Sequence, residues 1–98
     1  MASSLHLSEA APSTLLLRAD HLNERLVDGE LVLYDHARQF VHALNPTAAF
    51  IWRACDGRHD QASIAAALAE RYPESREAIE EDVLATLELF RAEGLLCE

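Results

Sequence analysis

What this 98-residue chain lacks narrows its function before any motif is read. No uninterrupted apolar run approaches the roughly 18 to 20 residues of a membrane span, so no membrane segment is expected. The N-terminus, MASSLHLSEAAPSTLLLRAD, has no basic segment ahead of a long apolar stretch, which argues against a secretory signal and implies a cytoplasmic location. There are only two cysteines, Cys55 and Cys97, and they match no CxxC-type spacing, so both are expected to be free thiols, Cys55 in the core. Five histidines, at 6, 21, 36, 42 and 59, are scattered without the i, i+4 pairing that sets two ligands on one helix face, which excludes a recognisable metal site. Nor can a Ser-His-Asp arrangement, a paired-carboxylate pocket or a glycine-rich phosphate loop be assembled. Neither an enzyme nor a cofactor is expected.

Glycine and proline are also scarce, three of each, and at this length the chain reads as one domain with a small core. Basic residues are outnumbered eight to seventeen, for a net charge of -9. The imbalance is concentrated: residues 74 to 98 carry eight acids and two bases, whereas residues 46 to 73 carry three of each. Affinity for nucleic acid comes largely from Lys and Arg neutralising phosphates, so an acidic terminal segment makes nucleic acid a poor partner.

What is present is an ordered set of elements. Residues 1 to 13, rich in Ala and Ser with Pro12, read as a flexible tail, and residues 14 to 98 as the domain. Thr14 to Arg18 is apolar enough for a short strand. Arg25 to Asp28 and Glu30 to Asp35 flank Asp28-Gly29, a dipeptide favoured in tight hairpins. A second turn at Asp35 to Arg38 leads into Gln39 to Leu44, where Phe40, His42 and Leu44 point one way and Gln39, Val41 and Ala43 the other. Tyr34 and Phe40, on neighbouring strands, are placed to pair across them.

After Leu44 the hydrophobic period changes from two to 3.6. Asn45 caps and Pro46 opens a helix whose inner stripe is Ala48, Ile51, Trp52 and Cys55, ended by Gly57. Trp52, the only tryptophan, is the expected core centre. Asp60 caps a second helix with Ile64, Ala67, Leu68 and Tyr72 inward, stopped by Pro73. Ser75 opens the last helix, with Ile79, Val83, Leu87 and Phe90 inside, Gly94 at its end and the apolar Leu95, Leu96 and Cys97 folding back. The fold class is α+β, winged-helix-like: a three-stranded antiparallel meander followed by three helices.

A helix, a short turn and a longer helix make the outline of a helix-turn-helix. A DNA reader would place basic or amide side chains on the second of these. Here its outward positions include Glu77, Glu80, Glu81, Asp82, Glu88 and Glu93, so a DNA-binding regulator is the alternative and not the main reading. A structural dimerisation module that pairs sheet edges is another, and the chain is expected to be a monomer or homodimer. The sheet's free edge carries the main reading, because unpaired backbone groups can take up an extended peptide.

The ordered pieces LVLYDHARQFVHALNPTAAFIWRACDG, SIAAALAERYP and EEDVLATLELFRAEGLL resemble the PqqD-like family, also called RiPP recognition elements, over about residues 25 to 96. The AAxIW helix is represented by Ala48, Ala49, Ile51 and Trp52. The last element is filled by Asp82, Val83, Leu87, Phe90, Gly94, Leu95 and Leu96, with Phe90 where Leu is commoner. The wording YDHARQFVHALNP is also similar to a subgroup found beside HPr-kinase-related proteins. The resemblance implies a non-catalytic protein that binds the leader segment of a ribosomally made precursor peptide. It would present that leader to a modifying enzyme, such as a radical SAM enzyme in pyrroloquinoline quinone synthesis or a leader peptidase in lasso peptide synthesis. It further implies that the leader joins the third strand, here Gln39, Phe40, Val41, His42, Ala43 and Leu44, and lies against the facing side of the last helix from Glu80 to Arg91. Val83, Leu84 and Leu87 would hold apolar anchors, while Glu80 and Glu88 would attract a basic leader residue.

Overall fold

The computed structural model describes residues 14–97; the expected tail at residues 1 to 13 and the terminal Glu98 lie outside the described residues. Three strands, β1 (Leu22–Val27), β2 (Glu30–Asp35) and β3 (Phe40–Leu44), form an antiparallel meander in the order β1-β2-β3. Three helices follow, α1 (Pro46–Ala54), α2 (Gln61–Arg71) and α3 (Arg76–Ala92), as the sequence pattern implies. None of them is long and apolar enough to cross a membrane.

Local chemistry sets the boundaries. Asp28 and Gly29 both have positive φ, 53° and 84°, the paired left-handed geometry of a two-residue hairpin turn whose twist matches its strands. β1 is longer than expected and starts at Leu22, because its whole length pairs with β2 from Leu22↔Asp35 to Val27↔Glu30. Each helix has a side-chain cap: Asn45 accepts from the Ala48 N–H, Asp60 from Ser63 and Ser75 from Ala78. Pro46 occupies the first turn of α1, where its missing N–H costs nothing.

The core lies between one sheet face and the helices. Leu31, Leu33 and Leu44 meet Ile51, Trp52, Cys55, Ile64, Leu68, Ile79, Val83, Leu87 and Phe90. Trp52 is buried as expected, and its indole Nε1 donates to the Leu95 carbonyl at 3.1 Å, which ties α1 to the C-terminal segment. Ala65 is buried on α2, whereas Ala67 and Tyr72, expected inside, are only partly covered.

Thr14 to Arg18 does not form a strand of the sheet. Its extended backbone instead threads between the α1–α2 link and the C-terminal tail through two isolated bridges, Leu17↔Asp56 and Arg18↔Leu96. The partners are themselves loops, so no ladder can propagate. Leu95 and Leu96 are buried, which confirms the folded-back tail, while Cys97 is exposed.

Candidate functional site

β3 is an edge strand, paired with β2 on one side from Leu31↔Leu44 to Asp35↔Phe40 and with no strand on the other among the described residues. Its side chains alternate as expected. Leu44 is buried and His42 nearly so, with Phe40 continuing the same row at the exposed end, its ring edge-on to that of His42 at 4.9 Å. Val41 and Ala43 are exposed on the opposite face. Gln39 does not belong to the strand: its φ of 54° is left-handed, and an extended ladder cannot continue through it. Tyr34 and Phe40 do not pair either. The register sets Tyr34 opposite Val41 and Phe40 opposite Asp35, on different faces.

The turn that positions β3 is built around Asp35, the one charged residue buried among the described residues. Its carboxylate accepts from the Arg38 backbone N–H at 3.2 Å and lies 3.5 Å from His21 Nε2. Burial raises its pKa, but the Arg38 hydrogen bond and the nearby His21 and Arg38 outweigh burial and hold it below the ordinary value. Arg38 then reaches across to α3, where Nη1 donates to the Glu93 carbonyl at 3.1 Å. Gly94, at φ 76°, leaves room for that guanidinium, because a Cβ there would stand 3.1 Å from it. His42 Nδ1 lies 3.5 Å from the Glu93 carboxylate, while its Nε2 is buried without a partner.

These side chains bridge an otherwise open gap. No Cα of β3 comes within 8 Å of one in α3. Beyond the strand the gap widens into a cleft of about 410 Å3, walled by Leu44, Thr47 and Ala48 on one side and Asp82, Ala85, Thr86 and Leu89 of α3 on the other. An added strand would lie about 4.8 Å from β3, on the edge that no described strand occupies.

The α3 residues that line this cleft differ from those the resemblance implied. Val83 and Leu87, expected to hold leader anchors, are fully buried in the core and present no surface. Glu80 pairs with Arg76 at 3.3 Å and lines a separate recess with Gln61, Ala62 and Ala65 of α2. Arg91 faces the N-terminal segment and Leu96. Leu84 and Glu88 are exposed on that same flank of the helix. With about 100° between successive residues, the flank bearing residues 80, 84, 88 and 91 and the flank bearing 82, 85, 86, 89 and 93 lie on opposite sides of the core stripe. The cleft is lined from the second, through Asp82, Ala85, Thr86 and Leu89, none of which the sequence reading assigned to a wall. Exposed apolar residues gave no guide to the flank, since Leu84 on one side and Leu89 on the other are 42% and 56% accessible.

Among the described residues no group of three His, Cys, Asp or Glu side chains is gathered to hold a metal ion. Cys55 is buried, and desolvation pushes its thiol up to about 12, far from a reactive thiolate.

The chain is 50% identical over 50 residues to the "PqqA binding protein" of Pseudomonas aeruginosa strain UCBPP-PA14, covering 51% of this chain and 53% of that protein. The protein of the same name from Pseudomonas paraeruginosa is 48% identical over a stretch of the same length. The chain thus spans about half the length of these relatives. Among solved structures, lasso peptide synthetase B1 complexed with the leader peptide superposes with a TM-score of 0.77 at 24% identity, covering 86% of this chain and 99% of that one. TbiB1 in complex with the TbiA(beta) leader peptide gives a TM-score of 0.73 at 21% identity, covering 82% and 93%. These two likenesses establish the shared fold. The family model described as coenzyme PQQ synthesis protein D (PqqD) matches residues 30–96, from the start of β2 to the buried tail, and the chain belongs to the PqqD family.

Proposed function

We propose that this protein is a non-catalytic carrier that captures the leader segment of a ribosomally made precursor peptide and presents it to a modifying enzyme. The observation that carries the reading is a free strand edge facing an open groove, with β3 and α3 held apart by more than 8 Å between Cα atoms. The names of the relatives support it, since the Pseudomonas proteins are named for binding PqqA and both solved structures hold leader peptides.

The leader adds as a strand to β3, taking backbone hydrogen bonds from Phe40 to Leu44. Its apolar side chain rests on Ala85 and Leu89, and a basic residue finds Asp82 or Glu93 at either end of the groove. About five backbone bonds at roughly 1 kcal/mol each, with one or two apolar anchors, reach the roughly 8 kcal/mol of micromolar affinity. The receiving enzyme is one that acts on ribosomal peptides, such as a radical SAM enzyme or a leader peptidase.

The test is titration of the leader encoded beside this chain into the 15N-labelled protein. The expected result is saturable one-to-one binding, with amide shifts concentrated in Phe40–Leu44 and Asp82–Leu89. Val41→Pro, which removes a strand donor, should abolish it. Absence of binding to every neighbouring precursor, or shifts centred on the β1 edge, would overturn the proposal. Trp52 is too deeply buried to report on the groove.

A further inference from the structure

A second cleft, of about 490 Å3, lies between the β1–β2 hairpin and α1, and it shares only Leu44 with the groove beside α3. Its size falls within the roughly 300 to 1,000 Å3 of sites that take small ligands or short side-chain clusters. α1 serves both clefts with different flanks. Pro46, Ala49, Phe50 and Arg53, at helical spacing, face this one, while Thr47 and Ala48 face the other.

Two arginines, and not one as in the other acid-free clefts, line this cleft. The chain has seventeen acids, yet none lines the cleft, whereas Arg53 and Arg71 both do. Each arginine sits in the last turn of its helix, where a positive side chain also complements the helix dipole. What sets the pair apart is that both flank one apolar floor. The Arg71 guanidinium lies over the Phe50 ring, 4.8 Å from its centroid, and no carboxylate of the described residues pairs with it. Arg53 has only Glu24, at 4.0 Å, with both side chains about half exposed. Leu26 adds an apolar rim, 62% exposed.

We infer that this cleft docks a segment of the modifying enzyme in which an aromatic or branched apolar side chain is flanked by carboxylates. The apolar residue seats against Leu26, Ala49 and Phe50, and the carboxylates pair with Arg53 and Arg71. A guanidinium already placed over an aromatic ring has less freedom to lose when it takes up a carboxylate. The assignment to the enzyme rests on the carrier reading above: a presenter needs a surface that its bound peptide leaves uncovered, and the two clefts lie on different flanks of α1.

The test uses the full chain and two synthetic probes, acetyl-Glu-Phe-Asp-Leu-Glu-amide and its counterpart with Gln and Asn in place of the acids. The acidic peptide should bind at least tenfold more tightly, shift the amides of Leu26, Gly29, Phe50 and Arg53, and remain bound when the leader is saturating. Arg71→Gln should remove the tenfold preference and weaken association with the neighbouring modifying enzyme about tenfold, while leader affinity stays within twofold. Equal binding of both probes, displacement by leader, or unchanged enzyme binding by Arg71→Gln would overturn the inference. Self-association that disappears in Arg71→Gln would assign the cleft to a second copy and overturn it too. If wild type binds no leader, the carrier reading fails, and the probe and enzyme measurements still decide the cleft.

Discussion

Leu89→Ala should weaken leader binding about fivefold, and Leu84→Ala should leave it within twofold. The two substitutions delete the same atoms from the same helix, and both side chains are substantially exposed, 56% for Leu89 and 42% for Leu84. They differ in flank, since Leu89 lines the cleft beside β3 and Leu84 does not. Burying a whole leucine side chain is worth roughly 1.5 to 3 kcal/mol, so the exposed fraction of Leu89 has about 0.8 to 1.7 kcal/mol left to gain from a bound peptide. Alanine keeps its Cβ and part of that contact, which brings the expected loss to about 1 kcal/mol, a factor of roughly five. Isothermal titration of the leader into each variant measures it. Neither change should alter folding by more than about 0.5 kcal/mol, since both positions are on the surface. Weaker binding by Leu84→Ala with unchanged binding by Leu89→Ala would refute the placement of the groove and favour the flank carrying Glu80 and Arg91.

Three further outcomes are expected. Trp52→Phe deletes the buried hydrogen bond to the Leu95 carbonyl and leaves a small void, at a cost of about 2 kcal/mol. At roughly 4 to 8 °C per kcal/mol for a domain of this size, thermal melting should fall by about 8 to 16 °C. Asp35 has a folded-state pKa below the ordinary 3.8, so its stabilising contribution is complete above that value and is lost as pH falls through the lower folded value. Asp35→Asn should therefore unfold at lower urea than wild type at pH 6, with the gap narrowing by pH 3; a gap that does not change would contradict the assignment. With Cys55 buried and its thiol at about 12, and Cys97 exposed, a thiol reagent at pH 8 should modify one cysteine in the native protein and two in denaturant.

Where a local rule was enough, the elements could be read from the chain. Asp28-Gly29 specified its hairpin because few residues tolerate two successive positive φ values. Asn45, Asp60 and Ser75 marked three helix starts because each has an oxygen short enough to reach the N–H three residues on. The alternation of Phe40, His42 and Leu44 against Val41 and Ala43 was equally legible, being a property of any strand.

The site was less so. A 3.6-residue period reveals which stripe of α3 enters the core, and Ile79, Val83, Leu87 and Phe90 did so, but it is silent on which flank of that stripe meets β3. That depends on how α2 and α1 seat the helix against the sheet, a matter of three-dimensional hand with no local signature. Anchors assigned to Val83 and Leu87 were core residues for the same reason, since an apolar residue on the inner stripe cannot also line a groove. Gln39 falls outside the strand because its positive φ, 54°, ends the extended backbone there, and no residue pattern in the chain marks it. The sequence alone therefore determined the kinds and order of the elements, their caps and their buried stripe, since those follow from short-range geometry and hydrophobic period. Only the tertiary structure decided which flank of α3 lines the cleft at the end of β3, and the arginine-lined cleft behind α1, because each is made by residues that packing alone brings together.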